Sequence, residues 1–137
     1  MIFGTDKWAC HSYTQHYDRY FGPVCSRKLN ALEIGVGGYE RPADDGRWLR
    51  MWNAYFPKSR IVSIDIKDYA SLRERSIDVM QLDQTDAARL TRLSDEYGGF
   101  DIIIDDGSHL NAHVIAPLRC YSRCSALMES TLSRTRK

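Results

Sequence analysis

Four stretches of this chain are apolar runs that stop at a glycine or an acid. Leu29 to Val36 runs into glycines, and Arg60 to Ile66 is β-branched and closes around Asp65. Phe100 to Asp106 holds three consecutive isoleucines and ends on Asp105 and Asp106. Ser76 to Leu82 alternates apolar and polar residues, as a strand on the side of a sheet would. Near-continuous apolar runs suit parallel strands buried on both faces. That requirement leaves few architectures, because parallel strands need crossovers and both faces must be covered.

The segments between these runs supply the cover. Trp48, Met51, Trp52 and Tyr55 recur at helical steps of three and four, and Pro57 stops the segment. Ala87 to Tyr97 places Leu90, Leu93 and Tyr97 on one stripe, with Gly98-Gly99 as a stop signal. Strand, helix and strand alternate, which predicts βαβ units in an α/β fold. His11 to Phe21 reads as an aromatic helix, with Tyr13, Tyr17 and Tyr20 on one face packed against the sheet. The pattern fades after Leu118, where no fifth strand is expected. This divides the chain into a domain over residues 1–118 and a divergent basic tail over 119–137. The fourth strand is then an exposed edge, which invites pairing with a second copy or aggregation.

Composition excludes several classes of function. With 137 residues the chain is one domain, and 43% hydrophobic against 27% charged residues is ordinary for a globular protein. A net charge of +1 provides no field to draw it to nucleic acid or acidic lipid. No apolar run is long enough to span a membrane, and the first residues lack a signal peptide's features, so a cytoplasmic location is expected. Cys10, Cys25, Cys120 and Cys124 fit no common zinc spacing and read as free thiols.

In a parallel sheet, ligands bind beyond the carboxyl ends of the strands. Glu33-Ile34-Gly35-Val36-Gly37-Gly38-Tyr39 follows the first strand, and its glycines let the backbone approach a ligand. A dinucleotide fingerprint fails here, since Glu40 stands where its third glycine belongs. This disfavours a nicotinamide-dependent oxidoreductase. Asp65 can accept hydrogen bonds from ribose hydroxyls or cap the next segment. Asp83 and Gln84 after the third strand can meet an adenine or form a turn. Together these three strand ends describe an adenosine pocket. Asp105-Asp106-Gly107-Ser108-His109 brings two carboxylates that suit a hard cation such as Mg²⁺, and a histidine suited to general-base work. The plainer alternative is a helix cap followed by a surface histidine.

These motifs occur together in a familiar order. Gly4-Thr5-Asp6-Lys7, the histidine and tyrosine stretch from His11, the Glu33–Tyr39 loop, Leu49-Arg50-Met51-Trp52, Tyr55-Phe56-Pro57, Ile64-Asp65-Ile66, Asp83-Gln84 and Ile104 to His109 resemble the S-adenosylmethionine-dependent sugar O-methyltransferases of macrolide biosynthesis. The likeness spans about residues 4 to 118. It implies a class I methyltransferase fold, Rossmann-like, of which this chain holds four parallel strands with flanking helices and lacks the later strands. It also implies that Glu33, Gly35, Gly37, Gly38 and Tyr39 hold the amino acid portion of the cofactor. Asp65 would take its ribose, and Asp83 with Gln84 its adenine. Asp106 would bind Mg²⁺, and His109 would take the proton of a sugar hydroxyl on a glycoside acceptor. Family members carry two further acidic ligands after the fifth strand, so the metal site here is expected to be incomplete. Two functions follow: an O-methyltransferase impaired by truncation, or a non-catalytic remnant that at most binds S-adenosylmethionine.

Overall fold

The computed structural model describes residues 19–36 and 46–106, together with the backbone of strand 126–129. Five strands form one sheet: β1 (Asn30–Ile34), β2 (Arg60–Asp65), β3 (Ile77–Gln81), β4 (Ile102–Asp105) and β5 (Ala126–Glu129). Their order is β3-β2-β1-β4-β5, and every pairing is parallel. The order reverses at β1, so β1 stands between the two strands that follow it around the switch. Helix α1 (Arg47–Tyr55) crosses from β1 to β2, and α2 (Ala87–Tyr97) from β3 to β4. The α/β class and the first four strands agree with expectation. The strands are one or two residues shorter at their ends than the apolar runs, because strand ends give way to turns.

The fifth strand corrects the sequence reading. Ala126–Glu129 pairs with β4 in the register Ile102↔Ala126 through Asp105↔Glu129. β4 is therefore internal, and the expectation that it forms an exposed, self-pairing edge loses its basis. A run of only Ala126-Leu127-Met128 between polar residues is too short to stand out as a strand by periodicity.

Strand alternation divides the core into two layers. Ala31, Ile61, Ile77, Val79, Ile102 and Ile104 face one side, where they meet Phe21, Leu49, Trp52 and Phe56. Leu32, Ile34, Val62, Ile64 and Ile103 face the other, beneath Leu90, Leu93 and Phe100. In the first layer Trp52 stacks on Phe56 at 5.9 Å, and Phe21 meets both rings edge-on. Such pairs add to simple area burial. Trp52 is the centre of the expected α1 face, but Leu49 is buried with it while Trp48, Met51 and Tyr55 are only partly covered. Tyr20 departs from the proposed tyrosine stripe: it is 61% exposed, and its neighbour Phe21 enters the core. Tyr13 and Tyr17 lie outside the described residues, as do Cys10, Cys120 and Cys124. Cys25 is a free thiol.

Helix α2 shows its boundaries clearly. The Asp86 carboxylate accepts the Arg89 N–H at 3.0 Å as N-cap. At the other end Gly98 adopts φ +71°, the left-handed conformation that ends helices. Asn30 then ties this end to the sheet. Its side-chain amide donates to the carbonyls of Tyr97 and Gly99 at 2.8 and 3.3 Å, and its N–H donates to Asp101 Oδ2 at 2.9 Å.

Below the sheet a polar cluster joins β2, β3 and α2. Arg60 pairs with Asp78, whose Oδ2 also accepts the Tyr97 hydroxyl at 2.8 Å. Burial pushes the Asp78 carboxyl up, but the hydrogen bonds from Arg60 and Tyr97 and the nearby guanidinium charges outweigh it, and its pKa lies below the ordinary value. Burial, followed by the hydrogen bond and charge of Asp78, raises the Tyr97 phenol to about 12.

Candidate cofactor-binding site

The carboxyl ends of β1, β2 and β4 converge at the switch in strand order. Glu33, Asp65 and Asp105 are buried there, at 1%, 4% and 4% exposure. Three interior carboxylates are a heavy desolvation load unless they are hydrogen-bonded or bind a ligand. Alternation along the strands assigns Glu33 and Asp65 to the Trp52 side of the sheet and Asp105 to the Leu90 side.

The turn leaving β1 is fastened from both neighbours. Gly35 N–H donates to Ile64 C=O at 2.9 Å, and Asp106 N–H donates to Ile34 C=O at 2.9 Å. Gly35 adopts φ +90°, a conformation that favours glycine, so the turn after Ile34 depends on it. The next residue, Val36, is fully buried and donates its N–H to Asp65 Oδ2 at 2.9 Å. Asp65 Oδ1 accepts the Lys67 N–H, also at 2.9 Å. One carboxylate thus fixes the start of the glycine loop and the turn after β2. A carboxylate can accept about four hydrogen bonds in all, so backbone and ligand donors can share one such group.

Beyond Asp65, Ile66 is 60% exposed although apolar. Its carbonyl accepts the Gln81 side-chain amide at 2.9 Å, which joins the ends of β2 and β3. In the sequence Ile66 stands as the last residue of the second apolar run, past its terminal acid. After β3, Asp83 is exposed and accepts both the N–H and the hydroxyl of Thr85, at 2.8 and 2.7 Å. Asp83 therefore makes the turn that was the alternative reading, while Gln84 is buried at 8% exposure.

The two acids ending β4 divide. Asp105 is buried and Asp106 is half-buried. Glu129 lies opposite Asp105 in the β4–β5 register, a juxtaposition of acids at strand ends that sequence reasoning missed with the strand itself. Among the described residues, no group of three or more His, Cys, Asp or Glu side chains is arranged to hold a metal. Gly37, Gly38, Tyr39 and His109 lie outside the described residues. Among those described, no helix is long and apolar enough to cross a membrane.

Comparison with known proteins gives this arrangement its context. No family model matches the chain. It is 46% identical over 112 residues to the 8-demethyl-8-alpha-L-rhamnosyl tetracenomycin-C 2'-O-methyltransferase of Streptomyces olivaceus, covering 82% of this chain and 30% of the relative. It is 49% identical over 104 residues to the mycinamicin VI 2''-O-methyltransferase of Micromonospora griseorubida, covering 76% of this chain and 26% of the relative. The demethylmacrocin O-methyltransferase of Streptomyces fradiae is 45% identical over 111 residues. The chain spans under a third of the length of these relatives. Among solved structures, the MycE methyltransferase of the mycinamycin pathway, in complex with Mg, SAH and mycinamycin VI, superposes with a TM-score of 0.80 at 44% identity. The match covers 87% of this chain and 33% of that one. The fold is the class I, Rossmann-like methyltransferase fold.

Proposed function

We propose that this chain, a homologue of the macrolide and tetracenomycin sugar O-methyltransferases over most of its own length, carries the S-adenosylmethionine-binding part of such an enzyme. The reaction would be methyl transfer to a sugar hydroxyl of a glycosylated small molecule. The observation that carries the reading is the Asp65 carboxylate, buried at the switch point and bonded to the backbone at the start of the glycine loop.

The described residues fit the cofactor. Gly35 at φ +90° turns the chain without a side chain in the way, and the buried Asp65 carboxylate at the end of β2 is of the chemistry that ribose hydroxyls donate to. Asp83 and Gln84, which follow the end of β3, are the proposed partners of the adenine. Glu33, Gly37, Gly38 and Tyr39 are assigned to the amino acid end. S-adenosylmethionine supplies an electrophilic methyl group on a positively charged sulfur. His109 would accept the hydroxyl proton as the acceptor oxygen attacks. Holding both substrates in line is the main contribution expected of the protein.

For Mg²⁺ the fit is partial. Asp106 is the proposed ligand, and the described residues gather no further ligand set around it. The rest of its coordination falls to residues outside that set or to water, which Mg²⁺ commonly retains.

Calorimetric titration of the chain with S-adenosylmethionine, with and without Mg²⁺, tests the reading. Saturable binding that Asp65→Ala weakens is expected. A folded sample that takes up no cofactor would overturn it, and would leave the non-catalytic reading as the better description.

A further inference from the structure

Among the described strands, β3 forms one edge of the sheet. In a parallel pair, alternate residues direct their backbone groups to the neighbouring strand. Ser76 C=O accepts the Ile61 N–H at 2.9 Å, and Leu82 N–H donates to Asp65 C=O at 2.8 Å. Even-numbered residues thus face β2, and Ile77, Val79 and Gln81 turn their backbone groups outward. Such a row is a template for another strand.

Here its acceptors are taken. The chain doubles back before β3, and Glu74 exchanges two hydrogen bonds with Ile77, at 3.0 and 3.1 Å. Arg73 Nε donates to Val79 C=O at 2.8 Å. Arg89, from the first turn of α2, donates from Nη2 to Gln81 C=O at 3.0 Å. All three outward carbonyls are occupied, two of them by guanidinium groups that reach the edge from segments before and after the strand. An incoming strand must displace charge-assisted bonds and meet two positive charges.

We infer that Arg73 and Arg89 close the β3 edge to strand addition by a second copy of this chain. The assignment is independent of the methyltransferase reading and needs no cofactor for its test. Arg73→Ala/Arg89→Ala removes both guanidinium groups. Arg75→Ala/Arg92→Ala removes the same charge from exposed positions that make no bond to the β3 edge. Size-exclusion chromatography with light scattering over a range of concentrations should show the first variant shifting to larger species, and the second remaining as the parent chain. Adding Gln81→Pro to the first variant should reverse the shift, since the Gln81 N–H faces outward and proline is compatible with a strand edge. Circular dichroism establishes that each variant is folded. Should the double variant not fold, Arg73→Ala and Arg89→Ala singly carry the same expectation.

An unchanged size for folded edge variants would overturn the inference. So would equal association of the Arg75/Arg92 variant, or association that survives Gln81→Pro. Association of the parent chain that Gln81→Pro alone abolishes would also overturn it, because the edge would then be open with both arginines present.

Discussion

Asp65 reaches back across the sheet to accept the N–H of Val36 at 2.9 Å, 29 residues earlier in the chain. The same side chain accepts the Lys67 N–H two residues ahead. Removing it leaves a fully buried Val36 N–H without its acceptor. Asp65→Ala should therefore lower stability by about 1–3 kcal/mol, the penalty for an unsatisfied buried donor. It should also weaken S-adenosylmethionine binding. Denaturant unfolding and calorimetry on the same variant separate the two effects, and affinity equal to the parent's would remove Asp65 from the cofactor site.

Gly35→Ala tests the turn after β1. A methyl group at φ +90° enters a region that L-residues avoid, at a cost of about 1–2 kcal/mol. The expected outcome is that loss of stability together with a weaker response of the melting temperature to S-adenosylmethionine. Parent-like stability and affinity would show that the turn does not need a glycine.

The Arg60–Asp78–Tyr97 cluster sets the pH limits of part of the stability. The Asp78 pKa is depressed, so its contribution is present above the ordinary carboxylate range and is lost as pH falls through its folded value. The phenol of Tyr97 is raised to about 12, so its contribution is complete below about 10, the unfolded value, and is lost between there and about 12. Tyr97→Phe should cost about 0.5–1.5 kcal/mol at neutral pH, the usual net worth of one hydrogen bond. It should also flatten the alkaline limb of a stability–pH curve measured by urea unfolding. An unaltered alkaline limb would contradict the assignment.

Trp52 anchors the layer between α1 and the sheet, with contacts to Phe21, Tyr55 and Phe56. Trp52→Ala should destabilise the chain by about 3–5 kcal/mol through the cavity it leaves. Thermal unfolding monitored by circular dichroism measures this. A shift of only a degree or two would mean that the aromatic layer is not a structural centre.

Much of the fold was legible in the residues because burial on both faces of a parallel sheet leaves a simple signature. Ile102-Ile103-Ile104 could hardly be anything but an interior strand, and α2 announced itself through Leu90, Leu93 and the Gly98 stop. β5 was missed because its pairing with β4, and not its own apolar content, defines it. The site was legible in part. The strand ends were legible as places: Asp65 holds the Lys67 N–H, Gly35 takes φ +90°, and Asp83 accepts from Thr85 in a turn, while the ligand each would meet is not written in these backbone contacts. Leu49, buried, and Tyr20, exposed, show what periodicity leaves open: it gives the spacing of a face but not which way that face turns.

The strand order carries a lesson about time as well as space. β1 leaves the ribosome before the other strands of this sheet, yet one of its flanks is supplied by β4, whose Ile102 lies opposite Ala31. The Asn30 N–H waits for Asp101, 71 residues downstream. From the emergence of β1 until that of β4, the nascent chain has an apolar strand with one side unclaimed. Contacts so distant in sequence form late and slow folding. A hydrophobic strand held open on a growing polypeptide is exposed to wrong pairing until β4 emerges and closes the centre of the sheet.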